Sequence, residues 1–460
     1  MAGCVAVLFA YETSFYVQVA MHESMAAARA APKSENPLFF HGQHLNSAGS
    51  DAESHVPANA STVMDASATW NDTRGVVLCL HDGVLAMGVS LIRELRCLGN
   101  TEVIQVYHCL SELSAQSIEL LQRNDPHVDV IDVCTELMDS GVFHVELFVK
   151  TFQSYWLKPL ALYYTNLTEV ILMDADAILM RNPADLRSVA GYQRTGTLFF
   201  YDRVATFRKF FNRLVLTQPA NGEEPSRLQL LQLLIDTFPY GDFNLTGPNP
   251  SQQLLRSMAY AQLTSHEQDS SLLLVDKSRA GKAMDVLAYL ISNVRFEHNF
   301  SWGDKESFWL SFELAHQPYY FSPFGLSLVD SVPNEDLKLH PDTMCGSMAH
   351  FLPPVYSEVD ASAPELLYLN AKALLEPFPT GLEKNVTKRS RMYNLNPTHV
   401  TPRHRREEYI EKKARKGFEC INDMGSTPLP PLFRRLLMRR RVHFLAVATS
   451  FYEPLDTCVV

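Results

Sequence analysis

Two aspartates one residue apart, Asp174 and Asp176, stand between the apolar tetrads 170–173 and 177–180. A charged side chain is costly inside an apolar run unless it is paired or bound to a metal. Carboxylates at i and i+2, leaving a strand end together, can converge on one hard divalent cation through oxygen ligands. Mg²⁺ and Mn²⁺ suit such ligands and keep positions open for diphosphate oxygens. A bare D-x-D is common by chance, whereas one sealed between apolar tetrads is much rarer. The bland alternative is a turn or helix-capping carboxylate.

Other groups of the right chemistry surround this pair in the sequence. Lys150 and Lys158 precede it, and a lysine ammonium acts as a point charge for phosphate. Lys158 is followed by Pro159 and an apolar run, so a snorkelling surface lysine is the competing reading. Asp304 and Glu306 open an aromatic-rich segment with Phe308, Trp309 and Phe312. Two readings stand for them: acidic groups favoured by a helix dipole, or carboxylates beside an acceptor hydroxyl. Arg203, next to Asp202, is either a sugar contact or half of an ion pair.

The elements that must position these groups alternate in type. Residues 76–80 read as a buried strand that stops at His81-Asp82-Gly83, and 84–98 carry helical spacing closed by Gly99-Asn100. Residues 103–107 read as a strand, 114–123 as a helix, 128–133 as a strand, 151–165 as a helix interrupted by Pro159, and 170–173 as a buried strand. Residues 272–275 form a further apolar strand with a polar entry. Alternation of this kind predicts an α/β fold with a mostly parallel sheet flanked by helices. Ligands bind beyond the carboxyl ends of strands in such sheets, where both His81-Asp82-Gly83 and Asp174-Ala175-Asp176 fall.

The 460 residues carry a net charge of -11, which argues against nucleic acid as a partner. Residues 381–460 nevertheless hold twice as many basic as acidic side chains. They read as a basic extension, either solvated or drawn to an anionic membrane surface. None of the 8 cysteines forms a CxxC pair, so a zinc site of that spacing is unsupported. Cys79 and Cys109 are expected as small core residues. N-x-Ser/Thr sequons begin at Asn59, Asn71, Asn166, Asn244, Asn299 and Asn385, a hint of secretory passage. Residues 3–10 are apolar but too short to span a bilayer and lack a basic lead.

The stretch from Lys158-Pro-Leu-Ala-Leu162 through Glu169 to Asn182-Pro183, with Asp174-Ala-Asp176 at its centre, resembles the core of GT-A-fold glycosyltransferases. More narrowly, it is similar to the fungal-type α-1,3-mannosyltransferase family. Gly75–Cys79, Leu91–Arg96, Gly196–Arg203, Asp269–Lys277, Gly303–Trp309 and Cys345–His350 resemble that family in the same order. The resemblance implies a GT-A-type (Rossmann-like) nucleotide-diphospho-sugar transferase. Asp174 and Asp176 then match the metal-binding pair, with His350 as a third ligand to Mn²⁺ or Mg²⁺. Donor contacts fall at His81, Asp82, Gly83, Lys150, Lys158, Asp174, Ala175, Asp176, Asp269 and Ser270. Ser271 departs from the pattern, standing where many relatives carry Gly. Asp304 and Glu306 either orient the acceptor or stabilise charge, and the leaving phosphate itself takes the acceptor proton, so no dedicated base is required.

The expected reaction moves mannose from GDP-mannose to a glycan or glycoprotein acceptor with retention, giving an α linkage, in the Golgi or secretory pathway. Two readings stand for the N-terminus: a single-pass type II membrane protein whose signal-anchor is missing here, or a soluble protein. A UDP-sugar donor, a Mg²⁺-dependent phosphohydrolase or nucleotidyltransferase, and a non-catalytic sugar-binding protein are the competing readings. The expected organisation is a stem over 1–72, a catalytic domain over 73–380 with an insertion near 218–250, and the basic extension over 381–460.

Overall fold

The computed structural model describes residues 73–217, 226–332, 342–355, 363–376, 394–409, 420–450 and 458. The expected stem at 1–72 lies outside the described residues. Six strands build the central sheet: β1 (Arg74–Cys79), β2 (Val103–His108), β3 (Val128–Asp132), β4 (Glu169–Met173), β6 (Thr197–Tyr201) and β7 (Gln268–Asp276), in the order β3-β2-β1-β4-β7-β6. β3, β2, β1 and β4 are parallel, and β7 runs antiparallel between β4 and β6. The strand of residues 272–275 foreseen from its apolar run is longer than expected. Gln268, Asp269, Ser270 and Ser271 are buried in it despite their polarity; the last three have side-chain partners at the site below, and Gln268 Oε1 accepts from the Trp309 N–H at 3.3 Å.

Side chains alternate across the sheet, as strand geometry requires. Val77, Leu172, Leu273 and Val275 enter one core with α3 (Leu157–Tyr164) and α4 (Ser307–Leu314), through Leu160, Ala161, Phe308, Trp309 and Phe312. Val76, Leu78, Ile171, Leu272 and Leu274 enter the other with α1 (Leu85–Cys97) and α2 (Ala115–Asn124), through Leu91, Ile92, Leu95, Leu120 and Leu121. Burial on both faces explains why β1 and β4 read as unbroken apolar runs. Pro159 does not interrupt α3. The helix begins at Leu157, so the proline falls in the first turn, where its missing N–H leaves no bond unmade.

β5 (Ala177–Leu179) leaves the main sheet directly after the acidic turn. It joins a second, antiparallel sheet with β8 (Ser327–Leu328), β9 (Met348–Phe351) and β10 (Leu366–Asn370), ordered β8-β9-β10-β5. Over its described residues, the basic C-terminal segment is not a solvated tail. Its described part includes α5 (Pro431–Ala448), which packs on α1 and buries Phe433, Leu436 and Leu437 against Met87, Ile178 and Leu369. Arg439 pairs with buried Glu94 through bonds of 2.8 and 2.6 Å. The insertion begins as a hairpin of Leu214–Thr217 with Ser226–Gln229, followed by the helix Leu230–Thr237.

Cys97 bridges Cys458, Cys109 bridges Cys134, and Cys345 bridges Cys420. Cys109 is buried in the core as expected and is also a disulfide partner, while Cys79 is free and packs against the same core. Asn166, Asn244 and Asn299 are exposed. Among the described residues, no helix is long and apolar enough to cross a membrane.

Candidate active site

Asp174 follows the last residue of β4, and its backbone N–H donates to the Ser271 carbonyl of β7 at 2.8 Å. The turn closes tightly: the Ala177 N–H reaches the Asp174 carbonyl at 3.2 Å, and the Ala371 N–H reaches the Asp176 carbonyl at 3.2 Å. The acidic pair thus sits where the main sheet hands the chain to the second sheet, at the carboxyl edge of the parallel strands.

Lys158, on α3, is only 7% exposed, which excludes the snorkelling reading. Its Nζ lies 2.8 Å from Asp174 Oδ1 and 2.9 Å from Asp304 Oδ2. It also donates to Ser270 O and Ser270 Oγ, each at 3.1 Å. Burial disfavours the ammonium, but Asp174 and Asp304 outweigh it and hold the Lys158 pKa above its ordinary value. Asp304 is 2% exposed, and burial pushes its pKa up against the pull of Lys158. Gly303, at φ +70°, takes the left-handed turn that precedes Asp304, a conformation that glycine adopts without steric cost.

Asp176 is half-buried. Burial and the neighbouring Asp174 charge push its pKa up to about 7. Two partly exposed carboxylates are a hard oxygen donor set, and that set fits Mg²⁺ or Mn²⁺. The expected third ligand has a different partner. His350 Nε2 lies 2.8 Å from Asp269 Oδ2, and its ring stacks on Tyr368 at 4.8 Å between centroids. Among the described residues, no group of three or more His, Cys, Asp or Glu is placed to hold a metal. The physical reason is the second sheet: β9 and β10 carry His350 and Tyr368 onto the start of β7, where a buried carboxylate needs donors.

Asp269 and Ser270 are both buried. Burial would raise the Asp269 carboxyl, but hydrogen bonds from His350 and Ser271 and the charges of His350 and Lys305 hold it well below the usual carboxylate range. Ser271 donates from both N and Oγ to Asp269, at 3.1 and 2.7 Å. The residue that departs from the family pattern therefore has a use, as a clamp on that aspartate. Glu306 is fully buried. It accepts from Trp309 Nε1 at 2.6 Å and from the N–H groups of Glu267 and Gln268 at 3.1 and 3.3 Å. That places it under β7 with no route to an acceptor, against the acceptor-orienting role expected of it.

His81, Asp82 and Gly83 are exposed beyond the end of β1. The Gly83 N–H donates to His81 Nδ1 at 3.1 Å, and Asp82 accepts from Ser117 Oγ at 2.7 Å and the Ser114 N–H at 3.1 Å. The Ser117 bond holds the Asp82 pKa below its usual value. Lys150 is exposed and pairs with Glu146 at 2.7 Å, so of the two lysines only Lys158 is brought to the acidic pair. Asp202 accepts a 2.5 Å bond from Lys305. Sequence reasoning missed Tyr368 and Arg440, which approach the site from segments far along the chain.

Fold and site together define an α/β protein with a D-x-D turn at the carboxyl edge of its mostly parallel sheet. The profile of the family described as "Mannosyltransferase putative" matches residues 73–351, and the chain belongs to that family. It is 28% identical over 279 residues to the α-1,3-mannosyltransferase MNN1 of Saccharomyces cerevisiae, a match covering 55% of this chain and 35% of the relative. It is 24% identical over 277 residues to the α-1,3-mannosyltransferase MNT3 of the same yeast, covering 58% and 42%. The first relatives matched are spanned over only 34%, 48% and 34% of their own length. Among solved structures, core-mannan synthase A (CmsA/Ktr4) of Aspergillus fumigatus aligns at 9% identity and a TM-score of 0.36, over 59% of this chain and 79% of that one. That score is too low to carry ligand geometry across.

Proposed function

We propose that this chain transfers mannose from GDP-mannose to a glycan or glycoprotein acceptor, with retention, forming an α linkage. The observation that carries the reading is the acidic turn at the carboxyl edge of β4, with Lys158 bonded at once to Asp174 at 2.8 Å and to Asp304 at 2.9 Å. Family membership and the mannosyltransferase relatives support the choice of sugar.

Asp174 and Asp176 would hold a divalent cation, which when bound offsets the charge that builds on a departing diphosphate. Lys158 fixes the Asp174 carboxylate and brings a second positive charge to the same edge. Asp304 anchors Lys158 from below. Asp269, clamped by Ser271 and His350, shapes the floor beside Ser270, while His81 and Asp82 stand open to solvent where a nucleoside would rest. Three disulfides and three exposed sequon asparagines support passage through an oxidising, secretory compartment.

The test is transfer from radiolabelled GDP-mannose to α-mannoside acceptors with Mn²⁺, with UDP-sugars run in parallel and the product anomer read by NMR. D176N is expected to lose about 10²-fold or more, the scale of deleting a strong electrostatic contact to the transition state. Equal turnover by D176N, or no transfer or hydrolysis of any GDP- or UDP-sugar, would overturn the proposal.

A further inference from the structure

Arg440 is the largest charged side chain buried without a carboxylate partner near the acidic turn. It lies on α5, outside the matched span of residues 73–351, and is 0% exposed. Its Nη2 donates to the Ala175 carbonyl at 2.7 Å and the Ala177 carbonyl at 3.2 Å, and its Nη1 to the Met87 carbonyl at 3.2 Å. The two turn carbonyls bracket Asp176. Ser90 Oγ donates to the Arg440 carbonyl at 2.7 Å, which seats the arginine's own backbone on α1.

We propose that Arg440 is a positioning residue for the metal- and donor-binding turn: its guanidinium locks the backbone from which Asp174 and Asp176 project. The inference rests on the metal-dependent transferase reading above.

Three features favour it over a simple helix anchor. The nearest acid on its own side, Glu94, is already satisfied by Arg439 at 2.8 and 2.6 Å, so Arg440 does not neutralise that carboxylate. The planar fork of a guanidinium reaches several carbonyls in fixed geometry, which a lysine ammonium does not reproduce. The other main-chain bonds of the turn, from Asp174 N, Ala177 N and Ala371 N, leave the Ala175 carbonyl to Arg440. Burial pushes the Arg440 pKa down, but only to about 10, so it remains cationic at neutral pH.

The experiment compares Mn²⁺ binding, alone and with GDP, by electron paramagnetic resonance for wild type, R440K, R440Q and R441K, with thermal midpoints measured alongside. R441K is the matched control: Arg441 lies on the same helix and donates to the carbonyl of Leu374 at 2.7 Å and to that of Leu395, away from the turn. R440K keeps the charge and removes the fork. It is expected to weaken Mn²⁺ binding about 10-fold or more, the range for partners that orient metal ligands. R441K is expected to lower the midpoint and leave Mn²⁺ binding within about twofold. R440K binding Mn²⁺ as R441K does would overturn the assignment. So would failure of both R440K and R440Q to fold while R441K folds, since Arg440 would then be an anchor only. A wild type that binds no Mn²⁺, alone or with GDP, would instead remove the metal reading, and the positioning role with it.

Discussion

Replacing Lys158 by methionine tests the electrostatic centre of the site. Methionine is of similar length and removes the charge, leaving Asp304, 2% exposed, without its cation. Breaking a buried pair by removing one partner costs about 3–5 kcal/mol, because an uncompensated charge stays behind. Two further bonds, from Nζ to Ser270 O and Oγ at 3.1 Å each, are lost as well. Asp304 can relieve part of the cost by protonation, since burial already raises its pKa. K158M should therefore unfold at a midpoint roughly 5–10 °C lower. The double variant K158M/D304N should recover most of that loss, since removing both charges leaves no buried ion. Activity should not recover with it, because Asp174 loses its partner in both proteins. Thermal denaturation of wild type, the two single variants and the double variant closes the cycle. A double variant as unstable as the sum of its parents would refute the claim that Lys158 and Asp304 are coupled.

Other outcomes follow from the same geometry. Burial raises Glu306 to about 8, above the ordinary carboxylate value it recovers on unfolding. The folded chain then holds a proton that the unfolded chain releases, so this contribution to stability is full below about pH 4.5 and is lost as pH rises through 8. Wild type should accordingly lose stability relative to E306Q between pH 5 and 8, and midpoints that track each other across that range would contradict the assignment. H350Q, if its amide still donates to Asp269, should keep Mn²⁺ affinity within about threefold, whereas loss of a true ligand would cost about 10²-fold; a manganese titration separates the two. Removing the Cys97–Cys458 bridge with C97S/C458S should cost about 2–4 kcal/mol and increase proteolytic cleavage near α5, read by mass spectrometry; unchanged cleavage would count against a tethering role.

Much of the main sheet was legible because its strands are buried on both faces and so appear as apolar runs: β1, β2 and β4 are found within a residue or two of where the pattern puts them. The D-x-D turn was legible for the complementary reason, as charge interrupting such a run. What could not be read depends on partners distant in sequence. The polar start of β7 makes sense only once His350, Tyr368 and Glu306 close around it. Glu306 itself, three residues before Trp309, gave no sign that the indole would claim it. Arg439, Arg440 and Arg441 of α5 looked like part of a solvated charge run because their acceptors lie elsewhere in the chain. The one available signal was the apolar company they keep, Leu436, Leu437 and Val442 among them.

The reach of Arg440 has a consequence for biosynthesis. The carbonyl it grips belongs to a residue 265 positions earlier. At about 5–20 residues per second, the ribosome needs on the order of 10–50 s to go from one to the other. During that interval the strands around the turn can pair while its innermost carbonyl still awaits a donor. Nascent chains would thus pass through a stage with a nearly complete sheet and an unfinished acidic turn, and chaperones would meet the protein there.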